Sequence, residues 1–275
     1  MTPPTLLLLG TLLAAPAAKA SGPTLAVEDT MHTQVEEVLV RAPRVTLDEI
    51  LHRVARVEAR RESLLTDQSF TGTVRLVRLP DKNKPSGPMM ESVWRVYRKR
   101  PNRVRTVLLR KWEAHPKKNG KGSGMEFDFS PGMGEEIVNF AFQAQARREC
   151  RYRIAGRDLV GNHLIYKIAF EPRSLLTPFA PRGLVWVDTN DFVIVRQEVN
   201  FKRSPVPLIV KDIDRMVVER QRQEGHWVLS RVLMRAEMRL PLPNLGHAFD
   251  LAILYDQYAI NHGIADSLFA RTRRP

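Results

Sequence analysis

The chain has 275 residues, with 43 Lys and Arg against 30 Asp and Glu, a formal net charge of +13 and a single cysteine. Its apolar content of 43% can build a core, which excludes a disordered chain, and one Cys excludes an intramolecular disulfide scaffold. Beyond Ala20 no apolar run approaches the ~18 residues needed to cross a bilayer as a helix, so a multi-span helical membrane protein is excluded as well.

Residues 5–18 form an apolar run that ends in Ala18-Lys19-Ala20, an A-x-A pattern suited to signal peptidase. The spacing predicts a signal peptide over 1–20 and export to the periplasm. Residue 21 is Ser rather than Cys, so the expected mature terminus does not look lipidated. Residues 21–44 show no sustained period and read as a flexible lead-in. The first strong element starts at Thr46-x-x-Glu49, a capping box in which the Thr oxygen takes a free backbone N–H and the Glu is expected to reach back to the cap. Leu47, Ile50, Leu51, Val54 and Val57 then recur at helical spacing, with Arg53, Arg56, Glu58, Arg60 and Arg61 mostly opposite.

After Asp67 the period becomes two. Strands are predicted at 70–79, 93–98, 104–110, 125–129, 151–155, 163–170, 184–188, 192–201, 213–219, 227–238 and 249–260. Arg100-Pro101-Asn102, Thr189-Asn190-Asp191 and Glu224-Gly225 are turn sequences between them. The linkers are mainly short, and short links between consecutive strands imply an antiparallel meander. One interruption, 134–147, returns to helical period with Ile137, Phe140, Ala141 and Ala144 on one stripe. The expectation is a mainly β (α+β) chain with one domain over 45–275.

Each long strand has one apolar and one mixed face. Val228, Val232, Met234, Ala236 and Met238 share a face, as do Leu164, Tyr166, Ile168 and Phe170. That fits a single curved sheet whose concave side is covered by the two amphipathic helices. A sheet so large under two helices leaves room for an apolar ligand cavity, although a fully packed core fits the same pattern. The candidate cavity and lid residues are Leu47, Ile50, Leu51, Val54, Ile137, Phe140, Ala141, Trp186, Ile194 and Met234.

Several motifs together resemble the LolA-like superfamily of periplasmic outer-membrane lipoprotein-sorting and carrier proteins, to which the N-terminal domain of RseB is related. They are the opening helix leading into Phe70-x-Gly72, the turn Arg98-Lys99-Arg100-Pro101-Asn102-Arg103-Val104-Arg105, the hairpin carrying Tyr152, Gly156, Gly161, Tyr166 and Pro172, and Val185-Trp186-Val187-Asp188 followed by Phe192-Val193-Ile194-Val195-Arg196. The resemblance implies an unclosed antiparallel β-barrel of about ten or eleven strands, lidded by helices, that binds acyl chains of lipoproteins or lipids. The relation to RseB implies an alternative, a regulatory or envelope-assembly module that grips a partner protein through the basic hairpin.

Positive charge concentrates between Glu91 and Lys121, where eleven cations face Glu91 and Glu113. Arg98, Lys99, Arg100, Arg103 and Arg105 are the candidate docking surface for an anionic membrane or an acidic envelope protein, set against a merely solvated hairpin. Nucleic acid is not expected, because no binding motif interleaves with these charges. No cofactor is expected. The seven histidines show no metal-ligand spacing, and there is no G-x-S-x-G elbow or phosphate loop. His247 with Asp250 and Asp256 is the one arrangement resembling a catalytic set, and the sequence reads as a non-enzyme.

Overall fold

The helix signalled by Thr46 is the first element of the computed structural model, which describes residues 45–80, 86–114, 148–174, 181–201, 210–242 and 246–270. The expected signal peptide and lead-in, the strand expected at 125–129 and the helix expected at 134–147, with Ile137, Phe140 and Ala141, lie outside those residues. Helix α1 spans Leu47–Leu64. Thr46 Oγ1 accepts the Glu49 N–H at 3.3 Å, while the Glu49 carboxylate takes a bond from Arg53 one turn on. Ile50, Leu51 and Val54 are buried, and His52, Arg53 and Arg56 face water. Burying each of the aliphatic side chains is worth about 1.5–3 kcal/mol, so this stripe fixes which side of α1 meets the sheet.

Ten strands follow: β1 (Asp67–Arg78), β2 (Gly87–Lys99), β3 (Arg103–Glu113), β4 (Cys150–Val160), β5 (His163–Pro172), β6 (Pro181–Asp188), β7 (Val193–Phe201), β8 (Val210–Gln223), β9 (His226–Leu242) and β10 (Gly246–Ile260). A short 3-10 turn, Asp266–Phe269, comes after them. All ten strands pair antiparallel in one sheet, in the order β3-β2-β1-β10-β9-β8-β7-β6-β5-β4. The sheet is therefore unclosed, as an open barrel is. Its two edges, β3 and β4, are consecutive among the described strands.

Turn chemistry sets several links. Glu224 and Gly225 both have positive φ, 49° and 78°, the requirement of a two-residue type I′ turn between twisted strands. One link differs from expectation. The sequence places a break at Gly156, but β4 runs on to Val160 and turns at Gly161-Asn162. The register shifts between Ile154 and Gly156, so this glycine marks an irregularity inside a strand rather than its end.

Register explains the core. Ser92, Val74, Ile253, Val232, Val218, Gln197, Val185, Ile168 and Ile154 form one row of successive partners from β2 across to β4. Apart from Ser92 and Gln197 the row is apolar. Rows like it, with α1 on top, make a single cluster of buried side chains. The opposite face is held by charge. Arg196 reaches Glu219 at 3.0 Å, Arg215 reaches Glu198 at 2.6 Å, Arg75 and Arg110 share Glu91 at 2.8 and 2.6 Å, and Arg235 meets Asp250 at 2.7 Å. Much of the chain's arginine is thus spent on cross-strand pairs of the outer face.

Candidate functional site

The inner face is sealed at one place and open at another. Under α1 it is sealed. Glu58, three turns from the N-cap, is buried against Arg220 of β8 and pairs with Arg61 at 3.1 Å. Burial pushes the Glu58 carboxyl up, but the guanidinium groups of Arg220 and Arg61 outweigh it and hold the group below the ordinary carboxylate range. Arg53 lies 4.7 Å above the Phe192 ring, at the start of β7. These contacts pin the helix over β7 and β8.

Near the β3 edge the inner face is open. Val104, Thr106 and Leu108 sit opposite Arg98, Val96 and Trp94 on the inner side of the β2–β3 pair. Val104 is 59% exposed and Leu108 44% exposed, while Val96 beside them is 1% exposed. Trp94 is half-buried against the core, and its indole N–H donates to Ser92 Oγ at 2.8 Å. An apolar strip therefore leads from solvent into the core along one strand pair. It spans about 13 Å from Val104 to Leu108.

At the foot of the same hairpin is a cleft of about 300 Å³. It is lined by the end of α1 (Arg61, Leu65), the start of β1 (Asp67, Gln68) and the β2–β3 turn from Arg98 to Val104. Four of the five candidate docking cations, Arg98, Lys99, Arg100 and Arg103, line it, and Arg105 does not. Arg98 occupies an inner position with its guanidinium 5.9 Å from the Phe70 ring, and Phe70 packs on Tyr255 and Tyr258. Lys99 donates to Asp266 at 2.6 Å and to the Ile264 carbonyl at 2.7 Å, and Arg103 pairs with Asp266 at 2.8 Å. Hydrogen bonds from Lys99 and Arg103 hold the Asp266 carboxyl below its ordinary range. Arg105 donates to the Leu268 carbonyl. Arg100 is exposed at the turn, with Nη1 3.5 Å from the Ser63 carbonyl oxygen.

The structure brings Ile50, Leu51, Val54 and Ile194 into one buried inner cluster, with Leu47 and Met234 half-buried against it. Trp186 lies on the other side of the sheet. Its neighbours Val185 and Val187 belong to the inner cluster, and Arg196 stacks on the indole at 5.1 Å. The open strip, Trp94 with Val104 and Leu108, is absent from the sequence-based candidates. Its signal was the alternation Val104, Thr106, Leu108 inside a stretch that reads first as basic.

Asp250 is engaged by Arg235 through two bonds of 2.7 and 2.8 Å. No group of three His, Cys, Asp or Glu side chains among the described residues could hold a metal. Cys150 is buried, and burial pushes its thiol up, away from the reactive thiolate.

No family model matches the chain, and no curated protein matches it. Solved structures do. The chain is similar to a DUF1329 family protein from Desulfovibrio piger at 14% identity and a TM-score of 0.42, over 80% of this chain and 97% of that one. It is similar to a putative outer membrane lipoprotein-sorting protein domain from Vibrio parahaemolyticus at 11% identity and a TM-score of 0.41, over 80% and 97%. A LolA superfamily protein from Nitrosomonas europaea matches at 11% identity and a TM-score of 0.33, over 82% and 98%. The family resembled by the sequence motifs is thus among the matched structures.

Proposed function

We propose that this chain is an exported, non-enzymatic periplasmic carrier that holds acyl chains of lipoproteins or lipids for outer-membrane sorting. The observation that carries the reading is the open apolar strip of Trp94, Val104 and Leu108, continuous with the buried core at an unclosed sheet edge. A monomeric carrier needs such a surface, and a purely structural sheet has reason to cover it. Each buried methylene is worth about 0.8 kcal/mol, so a long acyl chain supplies most of the binding energy without any sharp polar motif. The A-x-A pattern at 18–20 supports export.

Delipidated mature protein, incubated with bacterial phospholipid vesicles and analysed by native mass spectrometry, tests this. The expected result is one acyl-bearing lipid or lipoprotein per chain. A chain that stays empty over a range of lipid excess overturns it. A second reading, a module that grips a partner protein, is favoured by the exposed Leu109 and Trp112 on edge strand β3, since an exposed edge can pair with an added strand. Empty protein that captures one defined envelope polypeptide through β3 favours that reading.

A further inference from the structure

We propose that the cleft at the foot of the β2–β3 hairpin is a headgroup site for an amphiphile whose phosphate headgroup is net anionic and whose chain lies on the open strip; the proposal rests on the carrier reading. Arg61, Arg98, Lys99, Arg100 and Arg103 line the cleft against one carboxylate, Asp67. The Asp67 carboxylate is turned to the Gly263 N–H, 3.2 Å from each oxygen. Guanidinium groups lining a cleft suit a phosphate, which they can bond bidentately. The cleft volume, about 300 Å³, lies at the lower end of small-ligand sites, which fits a headgroup and not a whole lipid.

Continuity with the strip makes the ligand an amphiphile. Val104 lines the cleft and is also the first residue of the strip that continues to Thr106 and Leu108. Charge and grease therefore meet at one residue, the arrangement a lipid phosphate with its first methylenes requires. Asp266 acts here as a resident anion. It is fully exposed, bridges Lys99 and Arg103, and occupies with its own carboxylate the cations that a ligand phosphate would take. Arg100 pairs with no carboxylate among the described residues and is the cation most open to a first contact.

The test uses the mature chain and vesicles of phosphatidylglycerol or phosphatidylcholine with identical acyl chains, reading lipid captured per protein. Wild type is expected to favour phosphatidylglycerol by about five-fold or more at low salt, since one surface cation is worth roughly that factor near an anionic lipid. Arg100→Glu should bring the ratio to about one, and Asp266→Asn should raise it, each by a change at an exposed site. Capture of neither lipid by wild type overturns the carrier reading itself. Capture of both lipids equally, unchanged in either variant, overturns the headgroup site while leaving the carrier reading in place. If soluble glycerol phosphate abolishes the preference as effectively as the lipid does, the cleft is a free-phosphate site and the amphiphile assignment fails.

Discussion

The inner face of this sheet is the same kind of surface at α1 and at β3, yet the two regions end differently. Beneath α1 the side chains of Ile50, Val54 and Ile194 are sealed, and a buried Glu58–Arg220 pair locks the helix down. At β3 the alternation continues through Val104 and Leu108 with those side chains left in water. The difference teaches that apolar patterning specifies which face turns inward but not whether it is covered. Coverage is a stability matter at one end and a candidate binding matter at the other, so substitutions at the two ends should separate stability from ligand capture.

The largest effect should come from the lock. Glu58→Ala leaves Arg220 buried without its carboxylate, and denaturant unfolding should show a loss of about 3–5 kcal/mol. Next, Ile50→Ala or Val54→Ala should cost about 1.5–4 kcal/mol by the same measurement, from lost burial and the cavity left behind. Leu108→Ala and Val104→Ala should change stability by less than about 0.5 kcal/mol while reducing lipid capture. Equal stability losses at both ends would erase the distinction between them.

Gln197 sharpens the comparison from the opposite side. It is 1% exposed, sits between Val185 and Val218 in the central row, and neither amide atom has a hydrogen-bond partner. Gln197→Leu should therefore stabilise the chain by about 1–3 kcal/mol in thermal or denaturant unfolding. The smallest effect concerns acid. Because Arg220 and Arg61 hold the folded Glu58 carboxyl below its ordinary range, its contribution is complete above that range and is lost as pH falls through the folded value. Stability measured on acidification should fall less steeply in Glu58→Gln than in wild type, and identical slopes would show that Glu58 carries no such linkage.

Much of the fold was legible because an antiparallel meander writes itself as period two. The inner faces of β5 and β9 and most strand positions follow directly from that signal, and the Thr46 cap follows from its spacing to Glu49. Trp186, a cavity candidate, lies on the outer side, which the sequence could not show. Val185, Trp186 and Val187 are all buried, so alternation cannot say which of them faces the core. The Gly156 break failed because a strand can absorb an irregularity without ending. The open strip was not legible, since exposure of Val104 and Leu108 depends on what covers the edge and not on their own identity. Nor could local sequence show that Asp266 would return, far along the chain, to bridge Lys99 and Arg103.

The central claim is that the open inner strip receives an acyl chain. A phospholipid with a diazirine on its acyl chain, photolysed with the mature protein and mapped by peptide mass spectrometry, tests it most directly. The account predicts crosslinks on β2 and β3 around Trp94, Val104 and Leu108, lost when excess unlabelled lipid competes. Crosslinks confined to the outer face, around Trp186 and Arg196, or no competable crosslink at all, would contradict it.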